Sequence, residues 1–591
     1  MNIVQISTYD VIGGAGRAAY RLHCGLREIG HRSRMLVREK ASDDPDVFCP
    51  SVITPPKNDQ EHIFYFEAIQ RGYIDWNRTD VSNTMFSLPF PGHDLSSFPV
   101  LAEADIINLH WITGFQSIQT LKKLFSLQKP IVWTLHDMWP FTGGCHYSAG
   151  CQQYCQDCCA CPQLCEDPLG LTKTILQDKL THLKGSNLVV VTPSRWMADC
   201  AKESALFRGS RVEVIPNSLE TDVFFPFPKA EAKRILGFEE ETTIVLFGCQ
   251  YFQEKRKGFS ELLSALSDCL DHLEFHELVK KDKLKVLTFG SPIDDLNRLG
   301  IPIVSLGTLA SDEEIRTAYC GADLFVLPSL EDNLPNTILE AMACGTSVVA
   351  FDTGGIRDMV EDSVNGFLVP TGDTKALAQR ILCLVFDTDK RNHFGSRSRE
   401  KVEMHHTLAA QAKGYLSIYQ ELYDEIDGAR NEGFQGRSVN SQPDKEETLS
   451  YDVKVPMDIE VGPEIGSIYE SLVLKSLQKF APFLKEQLEE TEKDRAARLE
   501  QVNELTRLLA ESETDREARL EQIRELTKIA RKGQETIQRL EHRIHKLENE
   551  IREYQDNMET LEHIIHGLRG TLPMRIARKV SFGRFDPPNK W

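Results

Sequence analysis

What this sequence lacks sets the first bounds. No apolar run among its 591 residues approaches the roughly 20 needed to cross a bilayer. The opening, MNIVQIS, has neither the basic head nor the apolar centre of a signal peptide. A cytosolic, reducing location is therefore expected, and the 15 cysteines are not read as a disulfide framework. Positive charge is also short: 68 Lys and Arg against 88 Asp and Glu leave a net charge of −20, which argues against a generic nucleic-acid surface. One local exception, Arg575, Arg578, Lys579 and Arg584, sits near the C-terminus. Past residue 465 glycine and proline almost disappear, so that region does not read as a turn-rich fold.

What is present falls into blocks. Short apolar strands alternate with helices at 3–7, 105–110, 130–136 and 187–194, and again at 243–248, 285–290, 303–307, 323–329 and 346–351. Such runs separated by helical stretches predict buried parallel sheets of the βαβ kind. The expected fold class is α/β, with two doubly wound Rossmann-like domains followed by an all-α coiled-coil tail. The expected domains are 1–224, with a Cys-rich insertion at 143–166, and 225–426, then a linker at 427–465, a coiled coil at 466–570 and a basic tail at 571–591. A cleft between the two α/β domains is the natural ligand site.

Two loops carry candidate chemistry. Gly13, Gly14 and Gly16 follow the first strand and open a helix, where backbone N–H groups can approach an anion near the positive end of the helix dipole. Far downstream, PSLEDNLPNTILEAMACGTSVVAFDTGG (328–355) runs from a strand end through an acidic loop into a helix. Asp332 and Glu340 are separated by seven residues. Glu340, expected in the first helical turn, could accept two ribose hydroxyls, and the amides of Asn333, Leu334, Pro335, Asn336 and Thr337 form a loop suited to a diphosphate.

This segment resembles the donor-binding signature of the retaining family 4 glycosyltransferases. The resemblance covers residues 1–425. It implies a GT-B fold, a nucleotide-sugar donor, no catalytic cofactor, and Asp332 where the family usually has Glu. It also implies that Arg256 and Lys257, after the strand TIVLFGCQ, hold the donor diphosphate, although Tyr251 stands where the family commonly has Arg. His136 ends a strand in TLHDMWPFTGGCHYSAGC (134–151) and resembles the family histidine beside the transferred sugar, with Asp137 expected to fix its tautomer. The HDMWPFTGGCHY form resembles the exopolysaccharide and capsule subset, including colanic acid transferases. The implied reaction is metal-independent transfer, with retention, to a saccharide or lipid-linked saccharide. No carboxylate is evidently placed as a covalent nucleophile. Two other readings stay open: a coiled-coil scaffold with a catalytically weak transferase-like domain, and another enzyme of this architecture, such as a sugar-nucleotide epimerase.

Seven cysteines crowd between Cys145 and Cys165. Cys145, Cys151, Cys158 and Cys161 could form a four-thiolate zinc site, the last two having CxxC spacing. Cys155, Cys159 and Cys165 leave other ligand sets open, as do redox-labile thiols and plain packing.

The tail has a heptad frame. Position a falls on Val502, Leu509, Ile523, Ala530, Ile537, Ile544, Ile551, Met558 and Ile565, and d on Leu505, Leu526, Leu540, Leu547, Tyr554, Leu561 and Leu568. The segment 494–506 recurs at 515–527, an offset of three heptads, with Ser512, Arg516 and Arg519 loosening the seam between. Mostly β-branched a and Leu d predict a parallel two-stranded homodimer. LPMRIARKVSFGRF (572–585) suits an anionic membrane surface or an acidic partner, and a solvated extension fits equally.

Overall fold

The computed structural model describes residues 1–53, 57–186, 188–291, 301–433, 454–511 and 520–568. The basic tail at 571–591 and the three loosened seam positions lie outside the described residues. Among the described residues sixteen strands form three sheets. They are β1 (Asn2–Tyr9), β2 (Arg32–Glu39), β3 (Val47–Phe48), β4 (Ser51–Ile53), β5 (Gly92–His93), β6 (Ile106–Leu109), β7 (Ile131–Thr134), β8 (Leu188–Thr192), β9 (Val212–Val214), β10 (Thr243–Cys249), β11 (Leu284–Gly290), β12 (Ile303–Ser305), β13 (Leu324–Leu327), β14 (Ser347–Phe351), β15 (Gly366–Val369) and β16 (Lys454–Asp458). Helices used below are α1 (Gly13–Glu28), α2 (Lys57–Ala68), α3 (Leu171–Leu183), α4 (Asn336–Ala343), α5 (Leu408–Gly433), α6 (Pro463–Gly466), α7 (Tyr469–Glu511) and α8 (Leu520–Leu568).

The first sheet has the order β3-β2-β1-β6-β7-β8-β9 and the second β12-β11-β10-β13-β14-β15. Every pair in both is parallel. Both sheets reverse direction of winding once, between β1 and β6 and between β10 and β13, and ligands of such sheets gather at the carboxyl ends of the strands beside that reversal. The strands are buried on both faces, as in Ile6, Ile107, Trp133 and Val190 of the first sheet and Leu246, Leu287 and Val349 of the second. That burial is why they read as continuous apolar runs. β2 was not among the expected strands, because its sequence RSRMLVRE is charged. Its Arg34 is buried but paired with Glu103 at 2.7 Å, which offsets the cost of removing it from water.

Two expected boundaries are corrected. Helix α5, assigned from sequence to the second domain, packs on the first. Ala412, Tyr415, Ile418 and Tyr419 join the core of Ile3, Leu22, Ile106 and Val132. A buried tyrosine needs a polar partner, and both hydroxyls find one here: Tyr419 accepts from Asn108 Nδ2 at 2.9 Å, and Tyr415 lies 3.0 Å from Thr134 Oγ1. Gly25 permits the approach, since a Cβ there would lie 2.6 Å from Leu408 O. The second correction concerns the stretch expected as a linker. Its final part forms β16, parallel to β4 and antiparallel to β5, and Asp458 is held by Lys123 at 2.6 Å. Polar composition conceals a strand that lies in a small sheet with only Val455 and Asp458 buried.

A separate helical unit comprises residues 64–76 and the described residues from 471 to 568. In it Phe480 of α7 and Tyr554 of α8 meet at 4.9 Å, at similar distances from the facing ends Glu511 and Leu520. The two helices therefore run antiparallel within one chain. Ile537, Ile544 and Tyr554, all seam positions, are buried in that arrangement. A heptad fixes which face is apolar and leaves open what covers it. The segment 64–76 contributes Trp76, whose ring centroid lies 5.5 Å from Phe480 and 4.8 Å from Phe483, and Phe64, 3.8 Å from Tyr554. Among the described residues no helix is long and apolar enough to cross a membrane.

Candidate active site

The carboxyl ends of the strands beside the two reversals face one another. After β1, the chain turns through Gly13 at φ +71° into α1. A Cβ on Gly16 would lie 2.9 Å from Asp10 O, so the turn can be this tight only with glycine there. Asp10 braces the loop by accepting from the amides of Val11 at 2.7 Å and Ser42 at 2.8 Å. Asn336, the first residue of α4, donates from Nδ2 to Gly14 O at 3.0 Å and joins the glycine loop to the opposite domain.

After β10 a short 3-10 turn, Lys255–Lys257, ends at Gly258 with φ +73°. A Cβ on Gly258 would lie 1.7 Å from Pro328 O, so the basic turn is pressed onto the end of β13. That contact brings Lys257 Nζ to 2.7 Å and Arg256 Nη1 to 3.4 Å from Asp332 Oδ2. Asp332 is buried, which by itself raises its carboxyl, but Lys257 and Arg256 outweigh burial and hold it below the ordinary range. Arg256 is fixed further by Glu254 at 2.9 Å, by Glu331 O at 3.2 Å and by the Tyr147 ring at 4.1 Å. Tyr251 is exposed. The neighbouring Glu331 faces elsewhere, accepting from Ser148 Oγ at 3.2 Å and Ala149 N at 2.8 Å. Of the two adjacent acids, Asp332 is the one beside the cations.

Asn333 fastens this acidic loop to the first domain. Its Nδ2 donates to Leu135 O at 3.1 Å and His136 O at 3.0 Å, and its Oδ1 accepts from Ser194 Oγ at 2.6 Å. Gly354 and Gly355 cradle the same loop, since a Cβ on either would lie within 2 Å of Asp332 O or Asn333 O, at 1.7 and 1.9 Å. Leu334 points into the core, so only its backbone is available to a ligand. Pro335 precedes α4, and Thr337 lies in its first turn.

Glu340 lies in the second turn of α4, not the first as expected, and is buried. Its carboxylate meets Arg21 Nη2 and Tyr319 OH, each at 3.4 Å. Burial raises its pKa, partly opposed by Arg21 and Arg17. Contacts at 3.4 Å are weak, which leaves both oxygens able to accept from a diol. Arg21, also bonded to Glu220 at 2.9 Å, was not anticipated. The signal was an arginine on the buried face of α1, one turn after Arg17.

His136 is half-buried at the end of β7. The expected Asp137 partnership does not form. Asp137 accepts instead from Trp111 Nε1 at 2.7 Å, lies 2.6 Å from His146 Nδ1, and accepts from Trp139 N at 2.9 Å. Consecutive residues leaving a strand point to opposite sides. His136 Nε2 lies 3.0 Å from His110 Nδ1, and His110 Nε2 lies 2.7 Å from Gln5 Oε1. Burial lowers the His136 pKa to about 4, and burial together with His136 lowers that of His110. His110 and Gln5 were missed, though His110 also ends a strand beside the reversal.

Cys145, Cys151, Cys158 and Cys161 line one cavity of about 20 Å³, and Cys155, Cys159 and Cys165 do not. All are free thiols. Among the described residues no group of three or more His, Cys, Asp or Glu is arranged to hold a metal.

The N-terminal residues 12–223 match the family model described as Glycosyltransferase Family 4, and residues 242–387 match that described as Glycosyl transferases group 1. The chain is 27% identical over 263 residues to alpha-maltose-1-phosphate synthase of Mycolicibacterium smegmatis, covering 41% of this chain and 65% of that protein. It is 32% identical over 163 residues to sulfoquinovosyl transferase SQD2 of Arabidopsis thaliana, covering 27% of this chain and 31% of that one. It thus spans less than two thirds of either relative. A protein of Escherichia coli K12 named for colanic acid biosynthesis as glycosyl transferase WcaC is 23% identical over 442 residues, covering 71% of this chain and all of that protein. Among solved structures, sucrose-phosphate synthase (tll1590) from Thermosynechococcus elongatus is 17% identical over 72% of this chain and 100% of that chain, with a TM-score of 0.48. Residues 12–223 and 242–387, which carry the two parallel sheets with the candidate residues at their facing ends, each match a glycosyltransferase family model.

Proposed function

We propose that this protein moves a glycosyl group from a nucleotide sugar to a hydroxyl of a saccharide or lipid-linked saccharide, with retention of configuration and without a catalytic metal. The observation that carries this reading is the Lys257–Asp332–Arg256 cluster at the carboxyl ends of β10 and β13, bonded through Asn333 to the backbone of His136. In this scheme the C1–O bond of the donor breaks toward the nucleoside diphosphate, whose growing negative charge meets Lys257 and Arg256. Fixed charges aimed at developing charge are the largest catalytic term in such reactions. Glu340 accepts the ribose hydroxyls. The acceptor hydroxyl attacks C1 from the side the diphosphate leaves, and its proton passes to a diphosphate oxygen. His136, neutral at ordinary pH, orients the sugar as a hydrogen-bond partner. The name of the Escherichia coli relative supports surface polysaccharide synthesis as the setting.

Turnover of UDP-, GDP- and ADP-sugars by the full chain, with and without saccharide acceptors, tests the assignment. Hydrolysis or transfer with one donor, lost in Glu340→Ala and Lys257→Ala, is expected, with an axial donor giving an axial product by NMR. Binding of donors with no turnover under any acceptor condition would favour the scaffold reading, and dependence on Mn²⁺ or Mg²⁺ would refute the metal-free scheme.

A further inference from the structure

The cavity among the four cysteines is a built feature that glycosyl transfer leaves unused. At about 20 Å³ it holds about one water-sized body. Backbone amides approach three of its sulfurs: Gln153 N lies 3.4 Å from Cys151 Sγ, and the Gly143 and Gln163 amides serve Cys158 and Cys161. For Cys151 and Cys161 the donor is two residues on, so each sulfur sits inside a tight turn of its own backbone. These donors oppose burial, which holds the Cys158 and Cys161 thiols above their ordinary pKa. Gly143 is needed there, because a Cβ would lie 2.3 Å from Thr172 O and 3.0 Å from Cys158 Cβ.

Lys179 of α3 supplies a second, independent observation. Its side chain is fully buried, and its ammonium donates to the carbonyls of Trp139 and Thr142 above the Trp139 ring, 4.0 Å away. No described carboxylate forms an ion pair with it; burial lowers its pKa to about 7, and Cys145, Cys158 and Asp137 are the groups that oppose that shift. A buried ammonium without a counter-charge is costly.

We propose that Cys145, Cys151, Cys158 and Cys161 bind one zinc ion as four thiolates, with Lys179 as the counter-charge. Binding releases four thiol protons to solvent and leaves a centre of charge −2, half of it offset by the lysine. Zinc–sulfur bonds of about 2.3 Å draw the sulfurs inward from the walls of the cavity. The role is structural, since four protein ligands leave no open position. The centre ties Cys145 and Cys151 together around Tyr147, Ser148 and Ala149, the residues that receive Arg256 and Glu331 from the donor side.

Metal analysis of the full chain, purified without chelator, is expected to find about one zinc per chain. Less than about 0.2 zinc, iron in its place, or a disulfide linking two of the four cysteines in non-reducing peptide maps would overturn the proposal. Cys161→Ser is expected to lower zinc content at least fivefold, and Cys159→Ser, outside the cavity, to leave it unchanged. If Cys161→Ser does not fold, the wild-type chain grown on cobalt decides. Intense visible bands of tetrahedral cobalt with sulfur charge transfer support four thiolates, and weak octahedral bands refute them.

Discussion

His110 Nδ1 and His136 Nε2 stand 3.0 Å apart, and behind them His110 Nε2 meets the Gln5 carbonyl at 2.7 Å. With the amide assigned this way, Gln5 accepts from His110 Nε2–H, and His110 Nδ1 accepts from His136 Nε2–H. His136 Nδ1 then keeps a lone pair for the cleft. His110→Phe removes the acceptor and frees the tautomer. Its kcat is expected to fall about tenfold, or ~1.4 kcal/mol, with KM for the donor nearly unchanged, and His110→Asn should recover part of the loss. Steady-state kinetics on both variants checks this, and an unchanged kcat in His110→Phe would remove the positioning role.

Asn333 joins the two domains through three hydrogen bonds. At about 1 kcal/mol each, Asn333→Ala should cost roughly 2–3 kcal/mol of stability and loosen the acidic loop. Donor KM should rise several-fold. Equilibrium urea unfolding together with donor titration separates the two effects.

Gly72 meets the backbone of α7 so closely that a Cβ would lie 2.4 Å from Ser476 O. Overpacking of backbone against backbone costs about 1–3 kcal/mol or more. Gly72→Ala is expected to speed proteolysis and amide exchange in 471–500, and Trp76→Ala to do the same by removing its two ring contacts. Exchange rates identical to wild type in both variants would show that 64–76 does not hold the helical unit together.

Acid should unfold the protein early. Burial lowers His23, His93 and His406 to about 4 from the ordinary 6.5. The unfolded chain therefore binds more protons than the folded one between those values, and stability falls as pH drops from 6.5 toward 4. Each histidine contributes on the order of 3 kcal/mol across that window, as an upper bound. The urea midpoint should decline steadily from pH 7 to pH 5. A flat midpoint over that range would mean these side chains gain water or partners when protonated.

Much of the site was legible because it rests on local chemistry. Glycines at a strand–helix turn, two cations after one strand and an acid after another are each dictated by a few neighbouring residues. The roles of Asp137 and Arg21 were not legible. A sequence gives the order of residues along a strand end, but not which distant side chain faces each one, and His146 captured Asp137 from across a loop.

The sequence by itself determined the two parallel sheets, through apolar runs that only two-sided burial can accommodate, and the apolar stripe of the tail, through its heptads. Tertiary structure alone decided what each surface meets. It sent α5 back to the first domain, where buried Asn108 and Thr134 partner its tyrosines. It made β16 a strand by pairing it with β4 and β5, and it buried Ile537, Ile544 and Tyr554 of the tail within one chain. In each case the local pattern specifies a face to be buried or a bond to be made, and the partner comes from residues tens to hundreds of positions away, whose meeting is fixed only when the whole chain packs.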